Sequence, residues 1–489
     1  MPIPRLRVRQ LNHKPINPAG DFVLYWMTAF RRTRYNFALE RAAEHAKHLD
    51  KPLVILEALR ADYRWACDRF HHFVIQGMVE QAKRLASKPV LYYPYLEPKP
   101  GAGKGLLAEL AKRSAVVVGD DFPAFFLPRM VKAAGNQVPV SFELVDSNGM
   151  LPLRAADKVY LRAVDFRRFL QKTLEPHLDD CPKADPLSRL KLPTLARLPA
   201  AITQRWPAAD VERLAHDAGL LSAFPIDHTV GITETEGGER AALRTLRRFL
   251  ESRLSRYADD RNQPEEEVTS GLSPYLHWGH IGAHQVFEEL MDWDDWRSEK
   301  LAGKATGSRR GWWGASENVE AFLDQFITWR ELGYNMSWQR ADYDRYRSLP
   351  NWAQETIEVH SEDTREHVYS LKRLELSETH DELWNAAQRQ LVRDGIIHNY
   401  LRMLWGKKIH EWSPNAKKAL EVMIELNNKY GLDGRNPNSY SGIFWVLGRY
   451  DRAWGPERPI FGKVRYMSSE NTARKVRVRG YLERYGREE

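Results

Sequence analysis

Cysteine is scarce in this sequence and long apolar runs are missing, and each absence excludes a class of protein. The 489 residues contain 2 cysteines, Cys67 and Cys181, which are too few for a disulfide framework or a four-cysteine zinc site. Apolar runs such as residues 115–118 have the length of a strand and fall far short of the roughly 18 residues of a membrane span. The first residues also lack the apolar core of a signal peptide. We therefore expect a cytoplasmic protein that does not cross a membrane.

Three common motifs of catalysis or phosphate binding are also missing. The histidines form no His-Glu-x-x-His pattern, so we predict no metal site. No Gly-x-Ser-x-Gly elbow is present, which argues against an α/β-hydrolase. Residues 101–105 resemble a phosphate-binding loop, but Pro98 and Gly105 stand where the Walker pattern needs a glycine and a serine or threonine. We predict a plain turn there.

Basic residues and tryptophan are the features that the sequence has in excess. Lysine and arginine number 73 against 65 acidic residues, which gives a formal net charge of +8. A basic balance favours a polyanionic partner such as nucleic acid, although many basic proteins bind none. The 16 tryptophans can pack cores, stack on bases or relay electrons beside a redox cofactor. Their positions in the chain must decide between these roles.

The first third of the sequence alternates between strand-like and helix-like patterns. Strand-like runs occur at 22–26, 52–56, 89–93, 115–118 and 138–145, and helical stretches such as 35–48 and 70–87 separate them. This alternation predicts a parallel sheet with crossover helices. A proline-rich, irregular segment follows, and the remainder is helical in pattern. We expect an α/β domain over 1–175, a connector over 176–236 and an all-helical domain over 237–489.

Two segments of the helical part carry residues suited to binding a cofactor. The run Thr269-Ser270-Gly271-Leu272-Ser273-Pro274 offers hydroxyls and backbone N–H groups to a diphosphate, although a Ser-Pro helix cap is the commoner role of such a run. In 384–412, Trp405 and Trp412 are seven residues apart and share a helix face, and Asn399 and Met403 share another beside Arg402. Such residues are typical of a large pocket for a planar aromatic ligand, while the two tryptophans taken alone are more commonly core anchors.

These segments, taken together, resemble the photolyase/cryptochrome flavoproteins, and specifically the class II cyclobutane pyrimidine dimer photolyases. The likeness extends over essentially the whole chain and is most specific in the C-terminal half. The segments that carry it are 257–262, 269–279, 329–332, 383–388, 398–408, 432–435, 451–455 and 462–468.

The resemblance implies a Rossmann-like α/β domain followed by an all-helical domain that binds FAD. It implies that Arg402 and Asp433 form an ion pair beside the flavin ring, and that an asparagine lies near flavin N5. Asn427 fits the class II spacing best, with Asn438 as the alternative. The other residues that it implies for cofactor binding are Tyr257, Thr269, Ser270, Gly271, Leu272, Ser273, Arg330 and Asn399.

The resemblance also implies roles for the tryptophans and a DNA partner. Trp384, Trp405 and Trp412 correspond to the chain that carries an electron from the surface to the flavin. Trp329 and Trp445 correspond to the wedge against a flipped-out dimer, and Met403 to its neighbour. The implied partner is UV-damaged DNA, the implied state is a monomer, and a second antenna chromophore, a deazaflavin or another, is possible in such a protein.

Two positions depart from the family pattern. An acid that hydrogen-bonds the dimer is expected about four residues before Trp329, where this chain has Gln325 with Asp324 beside it. The loop after residue 279 usually reaches an arginine, and here it reaches His284 and Gln285, which we assign to DNA binding. Glutamine keeps hydrogen bonding without the negative charge. We therefore expect light-driven repair of pyrimidine dimers, with a cryptochrome-like light sensor as the alternative.

Overall fold

The computed structural model describes residues 3–487, which form two compact units. The first unit takes in the chain up to Ala155 together with Leu174–Leu246 and Leu272–Asp292. The second takes in Ala156–Thr173, Arg247–Gly271 and the chain from Trp293 onward. Each unit is therefore assembled from separated stretches of the sequence rather than from one continuous segment.

The first unit is built on a six-stranded sheet in the order β1-β6-β5-β2-β3-β4. All neighbouring strands run parallel except β1, which pairs antiparallel with β6. This arrangement confirms the predicted parallel α/β fold. The strands are β1 Val8–Gln10, β2 Phe22–Met27, β3 Leu53–Leu59, β4 Val90–Leu96, β5 Ser114–Asp120 and β6 Phe142–Val145.

The strands at the centre of the sheet are continuous apolar runs because both faces of the sheet are covered. Every residue of β2 and β5 is buried, as expected for parallel strands between helices. Two strand expectations need correction. Strand β1 was not predicted, because three residues at a sheet edge carry no alternating signal, and β6 begins at Phe142 rather than at Val138, because Pro139 cannot donate to a ladder hydrogen bond.

A buried carboxylate lies at the carboxyl ends of β2 and β5. Asp120 Oδ2 accepts the backbone N–H groups of Thr28, Ala29 and Phe30 at 2.7–2.9 Å, and Asp120 Oδ1 accepts the hydroxyl of Tyr25 at 2.8 Å. Burial raises the pKa of Asp120, and these donors oppose the shift. The loop after β2 is therefore tied to the end of β5, where α/β sheets often bind ligands.

The helices of the first unit cover the sheet or follow it. Asn36 caps α1 by accepting the N–H groups of Ala38 and Leu39, which is a common way to begin a helix. Residues 101–105 form the predicted turn before α3. The helices are α1 Phe37–Leu49, α2 Asp68–Leu85, α3 Leu106–Lys112, α4 Leu127–Gly135, α6 Glu175–Leu178, α7 Ala200–Arg205, α8 Val211–His216, α11 Ser273–Trp278 and α12 Ala283–Trp293.

The second unit is helical, which confirms the all-helical part of the predicted fold. Among the described residues, no helix is both long enough and apolar enough to cross a membrane. A π-helical segment, Asp324–Trp329, separates α13 from α14. The helices are α5 Ala163–Thr173, α9 Glu239–Ser252 (which begins in the first unit), α10 Tyr257–Asp260, α13 Glu317–Leu323, α14 Arg330–Gln339, α15 Asn351–Val359, α16 Leu371–Glu375, α17 Glu382–Asp394, α18 Asn399–Trp412, α19 Ala416–Tyr430, α20 Pro437–Val446, α21 Ser469–Lys475 and α22 Arg479–Tyr485.

The two glycines of the region 384–412 have different roles. Gly395 has φ +69° and ends α17 in the left-handed conformation, so the region forms two helices instead of one. Gly406 lies within α18, where a Cβ would stand 2.4 Å from Cγ2 of Val446. The missing side chain therefore lets α18 and α20 approach closely.

Candidate functional site

Three buried tryptophans of the second unit lie in a continuous series. The indole Nε1 of Trp384 donates to the carbonyl oxygen of Trp405 at 3.0 Å, and the rings of Trp384 and Trp412 have centroids 5.5 Å apart. All three side chains are 2% exposed or less. Trp384 of α17 thus contacts both tryptophans of α18, and the order in space is Trp405, Trp384, Trp412. We call these three residues the buried tryptophan series.

The two ends of the buried tryptophan series have different surroundings. Trp405 donates its indole N–H to Oε1 of Gln388 at 2.8 Å, so its polar edge is satisfied inside the protein. The ring of Trp412 packs against Tyr369 at 5.4 Å and His380 at 5.3 Å. Tyr369 is partly exposed and His380 is exposed. The series therefore runs from a fully enclosed end to an end beside the surface.

The predicted ion pair between Arg402 and Asp433 is present in the second unit. Arg402 Nη2 lies 3.0 Å from Asp433 Oδ1 and 3.2 Å from Oδ2, and the two side chains are 16% and 14% exposed. Arg402 Nε is enclosed and has no hydrogen-bond partner among residues 3–487. A buried guanidinium N–H without an acceptor is costly, so this atom is suited to a polar ligand group.

A network of hydrogen bonds fixes the loop that presents Asp433. Arg435 has φ +63°, and its backbone N–H donates to Oδ1 of Asn428 at 2.8 Å. Its guanidinium donates to the carbonyl oxygens of Asn428 and Gly431. The Asn428 amide in turn donates to the hydroxyl of Tyr440 at 3.2 Å. Asp433 therefore extends from a short loop that is pinned on both sides.

Asn427 and Asn438, the two alternatives for one cofactor contact, have opposite environments. Asn427 is 1% exposed, and its amide nitrogen donates to Oγ of Ser439 at 2.7 Å and to Oδ1 of Asn428 at 3.1 Å. These bonds leave its Oδ1 as the remaining acceptor. Asn438 is exposed at the start of α20. Only Asn427 has a fixed, enclosed amide.

The segment assigned to phosphate binding has a turn at Gly271 followed by the start of α11. Gly271 has φ +69°, which favours glycine, and Pro274 lies in the first turn of α11. Arg253 donates to the carbonyl oxygen of Thr269 at 3.2 Å. The side chains are partly exposed at Thr269 and Ser270, exposed at Ser273 and buried at Leu272. Hydroxyls are therefore accessible along this segment.

Three other residues assigned to cofactor binding differ in how exposed they are. Tyr257 is buried against Phe249 and Phe322, and burial raises its pKa to about 12. Arg330 is buried at the start of α14, where Nη2 donates to the hydroxyl of Tyr334 at 3.3 Å. Asn399 is exposed in the first turn of α18. Tyr257 therefore contributes packing to the core of the second unit.

Asp324 and Gln325, the two residues near the position of the expected acid, have different surroundings in the π-helical segment. Asp324 is buried, and its Oδ1 accepts from Nε of Arg167 at 2.8 Å. Gln325 is partly exposed, and its amide has no hydrogen-bond partner among the described residues. Asp324 is therefore committed to α5 and cannot replace Gln325.

Trp329, Met403 and Trp445, the residues assigned to the dimer, are all partly exposed. The rings of Trp329 and Tyr450 have centroids 6.4 Å apart. Two cations lie near the ring of Trp445. The Nζ atom of Lys407 is 5.1 Å from the ring centroid, and the Cζ atom of Arg465 is 5.5 Å from it. These partly exposed rings are available to stack on a ligand, in contrast to the buried tryptophan series.

His284 and Gln285 do not lie where DNA could reach them, which corrects the prediction from the sequence. Each is 2% exposed. Within the first unit, the ring of His284 packs edge-on against Phe37 at 5.3 Å, with Nη2 of Arg7 3.4 Å from Nε2. Gln285 donates to Glu289 one turn later on α12 at 3.3 Å. Enclosed side chains of this kind stabilise packing and cannot contact phosphate.

The sequence predicted no role for four residues of this region: Gln388, Ser439, Arg167 and Lys407. The first two hold the amide or indole of an assigned residue, Arg167 pairs with Asp324, and Lys407 is fully buried. A lysine directly after the close-packed Gly406 is the one signal that could have indicated a buried charge. The described residues contain no cluster of three or more histidine, cysteine or acidic side chains that could hold a metal ion.

Comparison with known proteins identifies relatives over nearly the whole chain, although no family model matches it. The chain is 32% identical to a deoxyribodipyrimidine photo-lyase of Methanothermobacter thermautotrophicus over 98% of this chain and 97% of the relative. It is 31% identical to an enzyme of the same name from Oryza sativa subsp. japonica, over 97% and 89%. A third relative of that name, from Potorous tridactylus, is 30% identical over 93% and 79%.

A solved structure has the same fold. The crystal structure of a bacterial class III photolyase from Agrobacterium tumefaciens superimposes with a TM-score of 0.67 at 17% identity. The match covers 95% of this chain and 86% of the other. At this level of identity the likeness supports the fold alone.

Proposed function

The chain belongs to the photolyase/cryptochrome family, and from that premise we propose that it is a light-driven lyase that repairs cyclobutane pyrimidine dimers in DNA. We assign it to class II of that family, in which the electron-relay residues have the spacing of Trp384, Trp405 and Trp412. We also propose the division into an antenna domain, a connector and a catalytic domain over 1–175, 176–236 and 237–489. A deazaflavin or another antenna chromophore would belong to the first of these.

The residues present fit FAD. The unpartnered Nε of Arg402 and the remaining acceptor of Asn427 are the donor and acceptor that the edge of a flavin ring requires. Thr269 and Ser270 offer hydroxyls to its phosphates, beside a glycine with a positive φ. When bound, reduced FAD supplies light-driven one-electron chemistry, while the protein supplies placement and electrostatics.

Arg402, Asp433 and Asn427 would orient the flavin and balance its charge. Asp433 keeps the guanidinium of Arg402 fixed through two contacts at 3.0 and 3.2 Å, so the cation is preorganised. Ser439 and Asn428 accept hydrogen bonds from the amide nitrogen of Asn427. The amide oxygen of Asn427 would then accept a hydrogen bond from an N–H group of the flavin. These residues act by position and charge, and none of them forms a covalent bond.

The buried tryptophan series would carry an electron inward from Trp412 through Trp384 to Trp405. Ring and backbone contacts at 5.5 and 3.0 Å join its members. Burial excludes water from the three rings, and the hydrogen bond from Trp405 to Gln388 keeps that ring in one orientation. Trp405 lies on the same helix as Arg402, one turn away.

The partly exposed residues would receive the dimer. A damaged base leaves the stack more readily than an intact one, and Trp329, Trp445 and Met403 offer the dimer flat or soft apolar surfaces. Gln325 has an unpartnered amide one π-turn before Trp329 and would donate to or accept from a pyrimidine carbonyl or imide. Basic surface residues such as Arg465 would bind the flanking phosphates with salt-dependent affinity.

The observation that carries this proposal is the placement on one helix, α18, of both the Arg402 cation and the inner end of a continuous buried tryptophan series. The test uses reduced, flavin-loaded protein and an oligonucleotide with one thymine dimer, under blue light and in darkness. Recovery of thymine absorbance in the light alone, with enzyme at substoichiometric amount, supports repair. Intact dimers after illumination of fully reduced protein would contradict it.

The neutral side chain of Gln325 favours one second candidate, a cryptochrome-like light sensor. Glutamine brings no negative charge to the dimer, and Asp324 cannot supply one because it pairs with Arg167. Normal photoreduction of the flavin together with a complete lack of dimer splitting would favour the sensor over the repair enzyme.

A further inference from the structure

Helix α18 carries two consecutive buried lysines, and only one of them has carboxylate partners. Lys408 Nζ lies 2.9 Å from Oε2 of Glu411 and 3.9 Å from Oδ2 of Asp381, so carboxylates balance it. Lys407 is 0% exposed, and its Nζ donates to the carbonyl oxygen of Val446 at 2.6 Å. No carboxylate among the described residues forms an ion pair with Lys407. Lys407 is therefore a buried cation that no ion pair balances.

Lys407 Nζ meets two consecutive residues at the carboxyl end of α20. The carbonyl oxygen of Val446 accepts its hydrogen bond, and the ring centroid of Trp445 is 5.1 Å away. A cation at a helix C-terminus is favoured by the helix dipole, and a desolvated cation over an indole face is attracted to the ring. Lys407 is enclosed whereas Trp445 is partly exposed, so the ammonium holds the indole from the protein side.

The charged groups around Lys407 leave its charge sensitive to pH. Burial lowers the pKa of Lys407 to about 7; the carboxylate of Asp451 opposes this shift and the guanidinium of Arg465 adds to it. Asp451 is itself occupied, because it accepts from Arg465 at 3.0 Å. His410, one turn along α18, is also buried, and its pKa of about 3 keeps it neutral. The ammonium is therefore present below about pH 7 and is lost as the pH rises above that value.

We propose that Lys407 is a positioning residue for recognition of the dimer, which fixes the indole of Trp445 and the last turn of α20 in the orientation that meets the flipped-out dimer. This inference rests on the proposed function, because it takes Trp445 as a dimer contact. Because Lys407 is 0% exposed, it acts through Trp445, and we expect its effect on the affinity for damaged DNA and not on the splitting step.

The first test measures binding of flavin-loaded protein, in darkness, to matched oligonucleotides with and without one thymine dimer. For Lys407→Met we expect the affinity for the dimer to fall about tenfold, from loss of a desolvated cation–π contact, while undamaged DNA binds as before. Lys407→Gln, which keeps a hydrogen-bond donor without the charge, should lose nearly as much. The matched control is Lys408→Met, which removes the neighbouring buried lysine and should keep the preference for the dimer.

The pH profile separates positioning from a merely structural role. Dimer affinity of the natural protein should fall from about pH 7 to about pH 9, beyond the fall seen with undamaged DNA, as Lys407 loses its proton. Lys407→Met should lack that additional fall. The same profile in both proteins, or equal dimer affinity in both, would overturn the proposal.

A second measurement needs no folded Lys407 variant and no DNA. In protein that contains 5-fluorotryptophan, with the Trp445 resonance identified through Trp445→Phe, the fluorine signal of Trp445 should shift across the same pH range. An unchanged signal would overturn the proposal. If the natural protein shows no preference for the dimer, the proposed function fails, whereas a pH-dependent Trp445 signal would still establish the contact with Lys407.

Discussion

Two groups of tryptophans in the helical unit have the same side chain and opposite surroundings. The buried tryptophan series has its indole edges bonded to the carbonyl of Trp405 and the amide of Gln388. Trp329 and Trp445 are partly exposed, and cations lie near the face of Trp445. We propose that the enclosed rings serve electron relay, whereas the partly exposed rings serve stacking on a base.

The largest effect should follow from breaking the buried tryptophan series at its middle member. Phenylalanine is much harder to oxidise than tryptophan, so Trp384→Phe should slow photoreduction of oxidised flavin by about tenfold or more, since each ~1.4 kcal/mol of added barrier costs a factor of ten. The rate is followed by flavin absorbance under blue light with an external reductant.

The matched control for that variant is Trp296→Phe. Trp296 is also buried and donates its indole N–H to a carbonyl, that of Trp313, at 2.6 Å, but it does not belong to the series. Equal photoreduction by Trp384→Phe and Trp296→Phe would remove the relay from the account.

The next effect concerns Trp445, one of the two partly exposed tryptophans. Trp445→Ala should weaken binding to dimer-containing DNA by about tenfold to a hundredfold, because stacking of a base on an aromatic ring contributes roughly 1–3 kcal/mol. Photoreduction should be unchanged, because Trp445 is not a member of the relay. The control is Trp293→Ala, because Trp293 is a tryptophan that is 55% exposed and lies at the end of α12. This variant should bind the dimer normally. A similar loss of affinity in Trp293→Ala would indicate a nonspecific effect.

A smaller effect should come from the amide that supports Trp405. Gln388→Leu leaves the buried indole N–H of Trp405 without its acceptor, and it should lower the free energy of unfolding by about 1–3 kcal/mol. Urea denaturation measures this loss. Trp405→Phe combined with Gln388→Leu should cost less than the sum of the single changes, and strict additivity would show that the two side chains are not coupled.

The smallest effect should come from Gln325. Gln325→Glu should raise the yield of dimer splitting modestly, by about twofold, because a carboxylate accepts a stronger hydrogen bond from the dimer than a neutral amide does. The variant should also gain a pH dependence as its carboxyl group is protonated near pH ~4.3, which the natural protein lacks at this position. Repair yield against pH in both proteins measures this, and no change would mean that Gln325 does not face the dimer.

Much of the fold could be predicted because its signals are local. The apolar run of β5, the cap of α1 and the glycine that ends α17 are set by residues close together in the sequence. The ion pair between Arg402 and Asp433 was inferred from a family pattern, and its distance of 3.0 Å confirms the pairing. Asn427 was preferred to Asn438 by its spacing in the family pattern, and the structure adds that Asn427 is buried whereas Asn438 is exposed.

The remaining features depend on packing between distant segments, which a single sequence does not encode visibly. Asp324 and Gln325 are neighbours in the chain, and the π-helical turn with Arg167, 157 residues away, decides which one is enclosed. His284 looked like a phosphate ligand until its packing against Phe37 was known. Apart from its position after the close-packed Gly406, Lys407 gave no sign of being buried, because lysine is ordinarily a surface residue.

The most direct test of the division between the two tryptophan groups is Trp405→Phe measured from two starting states. Protein whose flavin has been chemically reduced should split thymine dimers in blue light at the rate of the natural protein. The same variant prepared with oxidised flavin should stay oxidised and inactive under that light. Normal photoreduction by Trp405→Phe, or loss of repair in the pre-reduced protein, would contradict the separation of relay from recognition.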